Sequence, residues 1–94
     1  MELSEARERI LETDREMAAL FLKRMETVRE IAAIKKEEGL PLEDKEREAR
    51  LMEELVPLIK DEELRPLYVR FLENNIKLSK EFQRIMIDKG RTAG

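Results

Sequence analysis

The sequence contains no cysteine and no histidine. Without thiols there is no disulfide framework and no thiolate nucleophile. Without imidazole, the commonest metal ligand and the commonest general base near neutral pH are both missing. Tryptophan is absent, aromatics make up 4% of the residues, and there are three glycines and three prolines. No apolar run approaches the roughly 20 residues needed to cross a bilayer. Residues Met1 to Arg9 are charged and lack the apolar core of a leader peptide. A soluble, cytoplasmic protein is expected. The formal net charge is −3, and the basic residues are spread along the chain rather than gathered in a stripe, so neither nucleic acid nor membrane is expected as a partner.

What is present favours helix. Ala, Leu, Glu, Lys, Arg and Met dominate a chain of 94 residues, and all of them are good helix formers. Charged residues reach 44%, as in helices with wide solvated faces. The length suits one all-helical domain over residues 1–90, with 91–94 as a flexible tail. A chain this short buries only roughly 60–65% of its unfolded surface by itself, which favours a partner subunit.

Neither Pro nor Gly occurs from Leu3 to Glu38. Ser4 is the expected N-cap and Gly39 the expected stop. A helix of about 34 residues would be ~50 Å long, more than a small globule can cover. Its apolar residues repeat by sevens. Leu3, Ile10, Met17 and Ile31 form one column, whose only charged member is Arg24. Ala6, Leu20 and Ile34 form a second, with Thr13 and Thr27 between them. Sustained heptads predict a helix–helix seam with a second copy of the chain. Beyond the break at Gly39-Leu40-Pro41-Leu42, Asp44 caps a second helix with Leu51, Leu55 and Ile59 on one face. Pro57 predicts a kink or an early end there. After a break over residues 61–66, Pro66 suits the first turn of a third helix, which Gly90 is expected to end.

The informative residues are polar ones in apolar places. Arg24 interrupts a column, and Lys35, 11 residues on, lies only about 20° around the helix. Ser79 and Gln83 interrupt the seam formed by Leu72, Ile76 and Met86. Arg47 and Glu48 sit one turn before Leu51, on its apolar side. Each has a plain structural explanation: Arg24 can snorkel, Lys35 opens a charged run at a helix end, and Ser79 and Gln83 can bond to each other or to backbone. Jointly they place polar groups on the inner faces of three helices, and buried polar groups cost stability unless paired. Arginines and a lysine with Ser and Gln suit an organic anion bearing more than one carboxylate. No nucleophile–base pair is evident, so positioning and charge stabilisation would do the work.

In this arrangement the sequence resembles the all-helical class of chorismate mutases. The resemblance runs from about Leu3 to Met86. It is carried by Arg7, Asp14, Leu20-Phe21-Leu22-Lys23-Arg24-Met25, Ile31-Ala32-Ala33-Ile34-Lys35, Gly39-Leu40-Pro41-Leu42-Glu43-Asp44, Arg47-Glu48 and Leu78-Ser79-Lys80-Glu81-Phe82-Gln83. The resemblance implies an intertwined homodimer, a six-helix bundle of two chains with three helices each. It implies rearrangement of chorismate to prephenate without cofactor or metal, in the biosynthesis of aromatic amino acids. It also implies that Arg24 and Arg7 of the partner chain hold the two carboxylates, and that Lys35 and Gln83 donate to the ether oxygen. Glu48 and the backbone at Asp44 would take the ring hydroxyl, Arg47 would support that edge, and Ser79 would help bind a carboxylate. Docking to another shikimate-pathway enzyme is compatible with it. The pattern does not require Pro57, and Lys80, next to Ser79, is expected to project near the pocket as an added charge. The nearest alternatives are an isochorismate pyruvate-lyase on the same fold and a non-catalytic mutase-like helical dimer.

Overall fold

The computed structural model describes residues 1–92 and the side chains of residues 1–89. Three helices, α1 (Leu3–Glu38), α2 (Lys45–Leu55) and α3 (Arg65–Thr92), are joined by short connections, with a 3₁₀ turn at Val56–Leu58. There is no strand among the described residues. α1 packs chiefly on α3, while α2 lies against α3 near its own short turn. None of the helices is long and apolar enough to cross a membrane.

Local chemistry explains most boundaries. Gly39 stops α1 in the left-handed region, at φ 66° and ψ 31°, with its N–H on the Lys35 carbonyl. The Leu40 N–H reaches the same oxygen at 2.9 Å. Asp44 caps α2 through Oδ1, which accepts the Arg47 N–H at 3.1 Å. α2 ends at Leu55 because Pro57 has no N–H to continue the ladder, and the chain tightens into the 3₁₀ turn closed by Ile59 N–H on Val56 O at 3.1 Å. Pro66 lies in the first turn of α3, as expected.

Two expected boundaries are corrected. Ser4 is not the cap of α1. Glu2 is, without a side-chain bond, because Ala6 N–H already closes the first turn on the Glu2 carbonyl at 3.0 Å. A cap contributes only about 1 kcal/mol, so good helix formers can start the helix ahead of it. Gly90 does not end α3, which continues through Arg91 to Thr92. Glycine permits a stop without imposing one, and Gly39 is the only described residue with positive φ. Residues 93–94 of the expected tail lie outside the described residues.

The core is thin. Val28, Ala32 and Leu72 are its buried apolar side chains, joined by buried Ser79 and Gln83. From Leu3 to Lys23, α1 has no buried side chain, and only Ala6 is half-buried. Leu3, Ile10, Met17 and Leu20 of the heptad columns are exposed, although Ile31 further along is half-buried. The surface is 7930 Å² for 11.2 kDa, whereas a folded monomer of that mass exposes roughly 5,700 Å². The radius of gyration is 16.9 Å, against about 12 Å for a compact domain of this length.

Gly39 gives the prediction. A Cβ there would meet nothing within 4 Å, so the cost of Gly39→Ala is that of the left-handed backbone alone. Urea unfolding should show a loss of about 1–2 kcal/mol for alanine, and a smaller loss for Gly39→Asn.

Candidate active site

Arg24, Lys35, Asp44, Arg47, Ser79 and Gln83 line one open groove of about 570 Å³ between α1, the start of α2 and α3. Small-ligand clefts commonly measure roughly 300–1,000 Å³. An adjoining recess that shares these six residues adds Glu48, Lys80, Leu42, Leu51 and Ile76 to the wall. Seven of the eight residues expected from sequence therefore converge. The eighth, Arg7, does not: it is exposed on the unpacked half of α1, ~25 Å along the helix axis from Arg24.

Helix phase sets the inward residues. Ser79 and Gln83, one turn apart on α3, are 7% and 6% exposed, the burial of apolar side chains rather than of polar ones. The Arg24 guanidinium donates to Ser79 Oγ, and Ser79 Oγ donates to the Asn75 carbonyl at 2.8 Å. The hydroxyl proton is thus committed to backbone, and its lone pairs face the arginine. Lys35 Nζ donates to the Leu42 carbonyl at 2.6 Å and to Gln83 Oε1 at 2.9 Å. Two of its three donors are engaged and one remains for a ligand. Since an ammonium can only donate, it also sets the Gln83 amide, leaving the Nε2 hydrogens as what Gln83 can offer.

The electrostatics are those of an anion site. Arg24 and Lys35 bond here to neutral oxygens, not to carboxylates. Burial first, and then the Arg47 charge, pull the Arg24 guanidinium below its ordinary pKa range. Both causes disfavour the cation, and an incoming carboxylate would relieve them. Asp44 brings one negative charge to the groove wall while its Oδ1 caps α2, and Arg24, Lys35 and Arg47 outnumber it. Among the described residues no three acidic groups converge as a metal site would require.

The partner of Glu48 was not legible in the sequence. It is Lys80 of α3, at 2.8 Å, and Lys80 also reaches Glu43 at 3.1 Å. Hydrogen bonding to Glu48, and then to Glu43, raises the Lys80 pKa. Hydrogen bonding to Lys80, followed by the Lys80 and Lys45 charges, lowers that of Glu43. A lowered carboxylate contributes stability that is lost as pH falls through its folded value. A raised lysine contributes stability that is lost as pH rises through its folded value. The Glu43–Lys80 pair therefore contributes fully between the ordinary glutamate and lysine values, 4.5 and 10.5, and weakens on either side. The Leu42 carbonyl, a backbone group in a loop, had no sequence signal either.

The chain matches the family described as chorismate mutase type II over residues 6–84. No curated protein matches it, and no solved structure does.

The groove should bind small dicarboxylates in general. Malonate should raise the melting temperature more than chloride at equal ionic strength, by the linkage that gives about 1.4 kcal/mol at ten times Kd. Arg24→Leu completes an apolar column, so its melting temperature should be unchanged or higher, while the malonate response disappears.

Proposed function

Because the chain belongs to the chorismate mutase type II family, we propose that it catalyses the rearrangement of chorismate to prephenate, working as a homodimer in aromatic amino-acid biosynthesis. The observation that carries the reading is the groove itself. Two cations on α1, bonded to neutral oxygens of α3 and the loop, face a space sized for a small dicarboxylate.

The reaction needs no proton transfer. The ether C–O bond breaks as a C–C bond forms within the same molecule, and every atom is retained. Catalysis then rests on holding a compact conformer and stabilising the charge that gathers on the ether oxygen. Arg24, supported by Ser79, holds one carboxylate. The free donor of Lys35 and the Gln83 amide converge on the ether oxygen, where their bonds strengthen as the C–O bond lengthens. Glu48 accepts a hydrogen bond from the ring hydroxyl, and the Asp44 backbone N–H donates to the hydroxyl oxygen. Arg47 adds positive charge along that edge. A millionfold acceleration, at the low end for enzymes, requires ~8 kcal/mol of such differential stabilisation.

The second carboxylate falls to Arg7 of a partner chain. Within one chain Arg7 and Arg24 are too far apart to grip one small ligand, but an antiparallel α1 brings the partner's Arg7 alongside Arg24. The exposed heptad residues of α1 supply the seam. The surface in excess of a compact monomer, roughly 2,200 Å², is of the order that obligate dimers bury. Intertwined first helices would give a six-helix bundle with two sites.

Incubating the protein with chorismate should abolish its diene absorbance. No loss, with a folded dimer confirmed, would overturn the reading and leave a non-catalytic helical dimer. Consumption of isochorismate alone would indicate the lyase. Arg7→Ala and Arg24→Ala should each be nearly inactive. Mixed and allowed to exchange subunits, they should recover roughly a quarter of the wild-type rate, since one of the two sites in each mixed dimer is intact. Failure to recover would exclude a shared site.

Gln83→Glu should confine activity to acidic pH. A glutamate beside Lys35 stays ionised near neutrality and cannot donate until protonated, whereas the amide donates at every pH. A pH–rate profile unchanged from wild type would remove Gln83 from the mechanism.

A further inference from the structure

Among the charged residues that line the recess beside the groove, Lys80 is the one to which the proposed reaction gives no task. It follows the buried Ser79 directly, and one helical step of about 100° turns it from the core toward α2. Its ammonium lies between Glu48 Oε1 at 2.8 Å and Glu43 Oε1 at 3.1 Å. Glu43 precedes the Asp44 cap and Glu48 sits in the first turn of α2, so the two pairs straddle the start of that helix. α2 has no buried side chain, so packing alone holds it weakly. Lys80 and Glu48 have side chains only 23% exposed, whereas Glu43 is 52% exposed. The Glu48 pair is therefore the less screened of the two.

Glu48 shares its walls with Arg24, Lys35 and Arg47. A carboxylate free to turn among three cations would pair with one of them, and that internal ion pair would occupy the charge meant for a ligand. Lys80 provides a competing partner from the α3 side. It engages Oε1 of Glu48 and leaves Oε2 as an acceptor.

We propose that Lys80 is a positioning residue of this site: it holds Glu48 against α3, available to a ligand hydroxyl and away from the cations that receive the ligand's carboxylates. The inference rests on the proposed mutase activity for its preferred readout.

The test compares Lys80→Met, Lys80→Arg and Glu43→Gln with wild type in steady-state kinetics and thermal melts of the intact protein. Lys80→Met should raise KM for chorismate about tenfold while kcat changes less than about threefold, the signature of lost ground-state binding. Lys80→Arg, which can hold the same oxygen, should return KM to within about threefold of wild type, and Glu43→Gln should leave it within about twofold. Three outcomes overturn the proposal. They are a wild-type KM in Lys80→Met, a KM rise that arginine does not reverse, and equal KM rises in Lys80→Met and Glu43→Gln with equal falls in melting temperature. If wild type turns over no chorismate, the functional reading has failed rather than this one. The malonate-induced rise in melting temperature then decides: lost in Lys80→Met and kept in Lys80→Arg supports the positioning role, and any other pattern ends it.

Discussion

A helix of 36 residues extends ~54 Å, and this chain covers only its second half. That mismatch shapes everything else. Where α3 meets α1, Val28 and Ala32 are buried and a groove forms beside them. Where α3 does not reach, Leu3, Ile10, Met17 and Leu20 face solvent. In proteins most helical stability comes from packing an apolar face. The proposed dimer answers the mechanical and the chemical deficit together, covering the exposed half of α1 and carrying Arg7 to a groove it cannot reach in its own chain.

The side chains of the groove are tied to one another and to backbone carbonyls. Arg24, Ser79 and the Asn75 carbonyl form one chain of hydrogen bonds, and Lys35, Gln83 and the Leu42 carbonyl form another. Every acceptor in these chains is neutral, so the side chains are held in place while their charge stays uncompensated. An anion that enters need not break a salt bridge to reach Arg24 or Lys35. Preorganised donors of this sort are what electrostatic catalysis requires, because little reorganisation remains for the moment of reaction. Of the two carboxylates at the groove, Asp44 caps α2 and Glu48 is engaged by Lys80.

Much of this could be read from the sequence, and the divisions follow physical range. Backbone events governed by one residue were legible: the left-handed stop at Gly39, the Asp44 cap, the end of α2 ahead of Pro57 and the start of α3 around Pro66. Polar residues set into apolar faces were legible as defects in a period, which located half-buried Arg24 and buried Ser79 and Gln83. Helix ends that depend on marginal energies were not, hence the misplaced cap at Ser4 and the misplaced stop at Gly90. Pairing across 32 positions, as between Glu48 and Lys80, has no periodicity to reveal it. The Leu42 carbonyl carries no residue identity to notice. For Arg7, one chain shows only that cis contact with the groove is closed to it.

The Lys35 carbonyl receives both N–H groups that terminate α1, and the Lys35 ammonium reaches the groove. The end of the helix and the aim of that charge are thus one mechanical variable. Inserting a single residue between Arg24 and Lys35 would turn the ammonium by about 100° and carry it 1.5 Å along the axis. Adding residues to a loop costs little, since closure entropy grows only with the logarithm of length. Over its lineage such a chain can drift in the lengths of its connections, whereas the count of residues between these two cations behaves as a fixed gauge.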